Sequence, residues 1–133
     1  MALDAREFGI ALKKVGKDLT EVQFRNVVRK IALDALKGIV QKTPVDTGRA
    51  RGNWQVTLGQ PAAGEVGYVE KGGGPTISKG TGEILVAPPI GKIWLTNNVP
   101  YIQKLEHGLP GGSRQAPAGM VQLTLVEIQS RFA

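Results

Sequence analysis

At 133 residues, with 41% apolar and 21% charged positions, the chain can bury one core without covalent staples and is too apolar for compositional disorder. It has no cysteine, which excludes disulfides and thiolate metal sites. The net charge of +6 admits an acidic or nucleic-acid partner, but with only 5% aromatic residues a base-stacking surface is not expected.

The N-terminal stretch Met1 to Asp18 is charged throughout and lacks the apolar core of a signal peptide. No apolar run approaches the roughly 18–20 residues that span a bilayer, so a product made soluble in the cytoplasm, without membrane contact, is expected. Leu3 to Leu19 has helical spacing in Phe8, Leu12, Val15 and Leu19. Thr20 starts a second helix, with Gln23 placed for a capping box. Phe24, Val27, Val28, Ile31, Ala35 and Ile39 form its apolar stripe, and Thr43-Pro44 stops it, because the residue before proline is pushed out of the helical region. The two helices can pack as a hairpin or nearly merge into one bent helix. Before Thr43 there are nine Lys/Arg against five Asp/Glu, so most of the positive charge lies here. Lys13, Lys14, Lys17, Arg25, Arg29 and Lys30 alternate with apolar positions, as on a solvated helix face.

The pattern then changes to strands. Asn53 to Leu58 alternates, with Trp54, Val56 and Leu58 on one face, and Glu65 to Val69 alternates less cleanly. Ile84 to Val86 and Lys92 to Thr96 look like two more short strands around a proline turn. Lys71 to Gly82 is dense with glycine and is expected to be a long mobile loop that becomes ordered on assembly. Pro100 to His107 is a short helix stopped by Gly108, and Pro117 opens a last helix burying Met120, Leu123, Val126 (or Leu125) and Ile128. The whole, residues 1–133, is expected to be one α+β domain. It has two N-terminal helices and a small antiparallel β-sheet with a long glycine-rich loop, then a short helix and a C-terminal helix packed on the sheet.

No catalytic constellation is visible, and no cofactor or metal is expected. The single histidine, His107, sits where it complements a helix C-terminus. The acids are scattered, and Ser78, Ser113 and Ser130 have no motif around them. Gly72-Gly73-Gly74 lacks a following Gly-Lys-Ser/Thr and does not lead from a strand into a helix N-terminus, so it is no phosphate loop.

The most specific stretch is Thr43-Pro-Val-Asp-Thr-Gly-Arg-Ala-Arg-Gly-Asn-Trp54. Asp46 can accept backbone N–H bonds two or three residues on, Gly48 and Gly52 let the chain reverse, and Trp54 supplies an apolar anchor where helix meets sheet. Arg49 on this turn can offer its planar fork to a carboxylate, internal or on a neighbour. This segment resembles the neck and tail-completion proteins of tailed double-stranded-DNA bacteriophages, relatives of the lambdoid minor tail protein Z. Thr43 to Arg49 matches that family's turn without a break. Two further blocks look like the family in order: Asn97-Asn98-Val99-Pro100-Tyr101 running into Leu105-Glu106-His107-Gly108, and Gln115 to Val121.

The resemblance implies a virion structural protein made in the host cytoplasm, with no enzymatic activity. It implies a homo-oligomeric ring, six-fold in related proteins, joining head connector to tail. The other partners implied are neck, connector and tail-terminator or tail-tube proteins, with genomic DNA passing through the lumen without sequence-specific binding. The family turn is carried by Pro44, Asp46, Thr47, Gly48, Arg49 and Trp54. Candidate assembly contacts are Lys71, Gly73, Ile77, Lys79, Asn98, Tyr101 and Glu106. The alternative from another class is a basic nucleic-acid-binding module built on the N-terminal helices.

Overall fold

A computed structural model of the chain describes residues 20–45, 47–67, 69–88, 91–108 and 119–132. The expected helix at Leu3–Leu19, Asp46 and the Pro117 helix start lie outside these residues. Helix α1 covers Glu21–Lys42. It starts at the expected capping box: the Gln23 amide donates to the Thr20 hydroxyl (3.2 Å) and the Thr20 amide to the Gln23 side chain (3.0 Å). It ends at Thr43, whose extended backbone precedes Pro44. Ile31, Ala32, Ala35, Leu36, Ile39 and Val40 are its buried face, whereas Phe24 remains 36% exposed.

A four-residue helix α2, Arg49–Gly52, leads into strand β1, Gln55–Leu58. Strand β2, Ile93–Thr96, pairs with it antiparallel, Gln55 opposite Thr96 and Leu58 opposite Ile93. Helix α3, Gly74–Leu85, lies between the two strands in sequence. Two helices follow, α4 (Ile102–His107) and α5 (Met120–Phe132). Gly108 takes the left-handed cap of α4 (φ 65°), as the sequence suggests. The architecture is α+β with a two-stranded sheet. α1 is its hub: α5 packs on it, α3 packs on it and on β1, and α4 packs on α5.

The largest departure from the sequence reading is α3, which replaces the expected mobile loop at Lys71–Gly82 and the expected strand at Ile84–Val86. Thr76, Gly80 and Ile84 are buried at four-residue steps, with Ile77 half-buried beside them, so the segment has a helical inner face. Its glycines have structural jobs. Gly73 caps the helix at φ 87°. A Cβ on Gly80 would stand 2.5 Å from Leu36 Cδ2 and 2.8 Å from Val56 Cγ2, so only glycine lets α3 approach both α1 and β1 this closely.

Glu65 to Val69 is also not a strand in its described residues. It runs along the turn instead, with the Val66 amide on Asn53 Oδ1 (2.8 Å) and the Glu70 amide on the Gly48 carbonyl (3.1 Å). The C-terminal helix packs on α1 and α4 rather than on the sheet. Its buried positions are Met120, Val121, Thr124 and Ile128, while Leu123 and Val126 face solvent. Thr124 is inside because α5 crosses α1 at Gly38, where an added Cβ would meet Thr124 Cγ2 at 2.7 Å. A bulkier side chain does not fit that crossing.

Candidate assembly surface

The turn between α1 and β1 is held by hydrogen bonds at nearly every residue. The buried Thr43 hydroxyl donates to the Ile39 carbonyl (2.7 Å) and accepts from Trp54 Nε1 (2.8 Å), tying the helix end to the start of the sheet. Replacing it by the isosteric Thr43→Val leaves the Trp54 N–H without a partner inside the core. The expected loss is about 1–3 kcal/mol in a urea titration, largely restored by Thr43→Ser. A Thr43→Val protein of full stability would contradict this role.

Arg51 closes the exposed carbonyls at the end of α1. Its guanidinium donates to the carbonyls of Thr43 (2.9 Å), Gln41 (3.2 Å) and Lys71 (2.7 Å). Asn53 is fully buried, with its amide on the Arg49 carbonyl (2.8 Å). Asn97, also buried, donates to the Ala50 carbonyl (2.8 Å) and accepts from the Val99 amide (3.2 Å). The Glu70 carboxylate accepts from the Thr76 amide (3.1 Å) and hydroxyl, capping the first turn of α3. The described residues of 43–54, 64–76 and 97–101 thus form one interlocked corner.

The family-turn residues fall as follows. Pro44 is half-buried behind Thr43, and the Thr47 hydroxyl accepts the Arg49 amide (3.2 Å), the type of bond expected of Asp46. Gly48 is buried at φ 91°, and Trp54 is 6% exposed. Arg49 finds an internal carboxylate, Glu65, through Nε (3.0 Å) and a terminal nitrogen (2.6 Å), and lies over the Tyr101 ring at 5.6 Å. Both charged partners of that pair are partly solvated, so it orients more than it stabilises.

The candidate assembly contacts are not brought together into one patch. Lys71 and Lys79 are exposed, whereas Gly73 is buried as the α3 cap and Ile77 packs against the core. Asn98 donates to the carbonyls of Ala62 (2.9 Å) and Gly64 (3.0 Å), and Tyr101 is half-buried under Arg49. Glu106 is 6% exposed and its carboxylate accepts the amides of Val121 (2.9 Å) and Gln122 (3.2 Å), capping α5 from a distant part of the chain. Glu106→Gln keeps the shape but gives up the charge-assisted bonds, so a loss of about 1–2 kcal/mol is expected in thermal or urea unfolding. An unchanged midpoint would show that the cap contributes nothing.

Sequence reasoning missed Arg51, Asn53, Glu70 and Asn97. Arg51 and Asn53 lay within the Thr43–Trp54 motif and Asn97 within the second family-like block, while Glu70 lay outside both. Their signal is a polar side chain of fixed reach beside a helix end or a tight turn, which identity alone does not reveal. Also missed is a cleft of about 510 Å³ beside β1, lined by Trp54, Val56, Val66, Pro75, Lys79 and Glu83. The strand edge at this cleft has a definite phase. The Gly59 amide bonds the Lys92 carbonyl (2.8 Å), extending the ladder, so Gln55 and Thr57 bond across to β2. The N–H and C=O groups of Val56 and Leu58 therefore point away from β2, and those of Ile93 and Leu95 away from β1. Among the described residues no hydrogen bond reaches any of them. On the outer sheet face, Trp94 is half-buried and donates from Nε1 to the Gly59 carbonyl (3.0 Å).

Among the described residues no cluster of His, Cys, Asp or Glu could hold a metal ion, and no helix is long and apolar enough to cross a membrane. A family model described as "Bacteriophage HK97-gp10, putative tail-component" matches residues 6–86, more than half of the chain, including the stretch from Thr43 through α3. No curated protein and no solved structure matches the chain.

Proposed function

The chain belongs to the bacteriophage HK97-gp10 family of tail components, and from that premise we propose that it is a ring-forming subunit at the phage neck or the head-proximal end of the tail. The coarser statement, a structural protein of the phage tail carried in the virion, follows from the family itself. In the finer reading the subunit is structural rather than enzymatic. Copies of it form a closed ring, six-fold as in related proteins, that joins the head connector to the tail and surrounds the DNA exit channel without reading sequence. Adjacent neck and tail-terminator or tail-tube proteins are its other partners.

The observation that carries this reading is the span of the family match, which takes in the α1 core, the Thr43–Trp54 corner and α3 together. The rival nucleic-acid module loses support from the use of the basic side chains. Arg29 donates to the Ala87 carbonyl (2.9 Å), Lys30 pairs with Asp34, Lys42 with Glu127, and Arg51 is consumed by three carbonyls. Among the described residues, these four basic side chains are already held by internal partners rather than left for phosphates.

Disruption of the gene in the phage tests the proposal. Filled heads and tails accumulating separately are the expected result. Normal, infectious particles formed without the protein would reject it.

A further inference from the structure

We infer that copies of this chain join edge to edge through the sheet: the free β1 edge of one copy takes the free β2 edge of the next. The inference rests on the ring reading and names the surface that reading leaves open. Three observations lead to it. First, among the described residues the sheet has two strands, and no described residue bonds the outward backbone groups of its edges, Val56 and Leu58 on one side, Ile93 and Leu95 on the other. An extended strand backbone is the partner whose alternating donors and acceptors satisfy such an edge.

Second, the two edges match each other. Each strand has four residues, and each edge offers the outward groups of two residues spaced two apart. Because β1 and β2 run antiparallel, simple rotation of the unit about an axis along the strands places β2 of one copy antiparallel to β1 of the next. The repeated contact is head-to-tail, using two different edges, and can close into a ring. Third, the β1 edge does not stand bare in solvent. It opens into the cleft of about 510 Å³, with Trp54 and Val56 at its base and Lys79 and Glu83, opposite in charge and one helical turn apart, at its rim. That gives an incoming strand an apolar floor and polar walls, the usual anatomy of a protein interface.

The absence of cysteine makes disulfide trapping clean. In the inferred contact Thr57 lies at a non-hydrogen-bonded position, where opposing Cα atoms approach to about 4.5 Å and a disulfide can form. The three possible in-phase registers set it against Lys92, Trp94 or Thr96 of the next copy. Phage are grown on cells supplying Thr57→Cys together with Lys92→Cys, Trp94→Cys or Thr96→Cys on separate copies, and purified particles are oxidised. The expected result is a mixed disulfide dimer in one of the three combinations, with none from Thr57→Cys alone. No mixed dimer in any combination, or Thr57→Cys homodimers, would overturn the edge contact while leaving the ring reading intact. If the wild-type protein is absent from particles, the ring reading itself fails, and this inference with it.

A second variant removes one edge donor. Leu58→Pro takes away an outward N–H at an edge position where proline is tolerated, so the isolated subunit keeps its melting temperature within a few degrees. Its incorporation into particles is expected to fall about tenfold or more. Wild-type incorporation of a folded Leu58→Pro subunit would also overturn the inference.

Discussion

Gly48→Ala is expected to lower the unfolding free energy by about 3 kcal/mol. Two effects combine. Gly48 sits at φ 91°, where an L side chain strains the backbone by about 1–2 kcal/mol. The added Cβ would also stand 2.7 to 2.9 Å from the backbone carbon, nitrogen and oxygen of Glu70. Backbone cannot swing aside as a side-chain end can. The Glu70 amide is bonded to the Gly48 carbonyl, and its carboxylate caps α3, so displacing this residue disturbs the corner and the helix start together. Gly59→Ala separates the two effects, since Gly59 has φ 85° but nothing within 4 Å of an added Cβ. Urea titrations should give a loss near 1 kcal/mol for Gly59→Ala and clearly more for Gly48→Ala. Equal losses would mean the approach to Glu70 contributes nothing.

Gly80→Val is expected to cost about 3 kcal/mol, through overpacking and the restricted rotamers of a β-branched side chain in a helix. Leu36, the nearest neighbour of the new atoms, is 1% exposed and has nowhere to turn. Adding Leu36→Ala to Gly80→Val should recover part of the loss, which a double-mutant cycle would read as a coupling energy. Two positions along the same helix the sign reverses. An added Cβ at Gly82 meets nothing within 4 Å, so Gly82→Ala should stabilise by about 0.5–1 kcal/mol through helix propensity and a less flexible unfolded chain. A mobile segment would show neither the loss at Gly80 nor the gain at Gly82.

That contrast marks where the sequence was legible. The α1 boundaries, the β1 and β2 positions, the Gly108 cap and the Trp54 anchor all depend on local signals, namely a capping box, a Thr-Pro stop, alternation and a left-handed glycine. α3 was hidden because glycine carries two meanings. Its backbone freedom suggests a loop, while its missing side chain suits a close helix crossing, and only the neighbours Leu36 and Val56 decide between them. The buried face of α5 was ambiguous for the opposite reason. Val121, Leu123, Leu125, Val126 and Ile128 are apolar nearly all round, and the choice of Thr124 over Leu123 is made by Gly38 on another helix. The corner's polar network was the least legible part, since Arg51 and Asn97 act on backbone groups remote in sequence.

The antiparallel ribbon is not a hairpin, and this sets how the subunit responds to a neighbour. Trp94 Nε1 meets the carbonyl of Gly59 across 35 positions of chain. Closing a loop of that length costs about 3 kcal/mol in chain entropy, more than a few strand pairs return by themselves. β1 and β2 therefore stay together only while α3 lies packed between α1 and the sheet, so the ribbon melts with the core rather than fraying by itself. Any contact that holds a strand edge then acts on the entire cooperative unit. A strand added from outside would raise the opening free energy of α3 and the Thr43–Trp54 corner along with that of the sheet, stiffening the subunit at the moment it is incorporated.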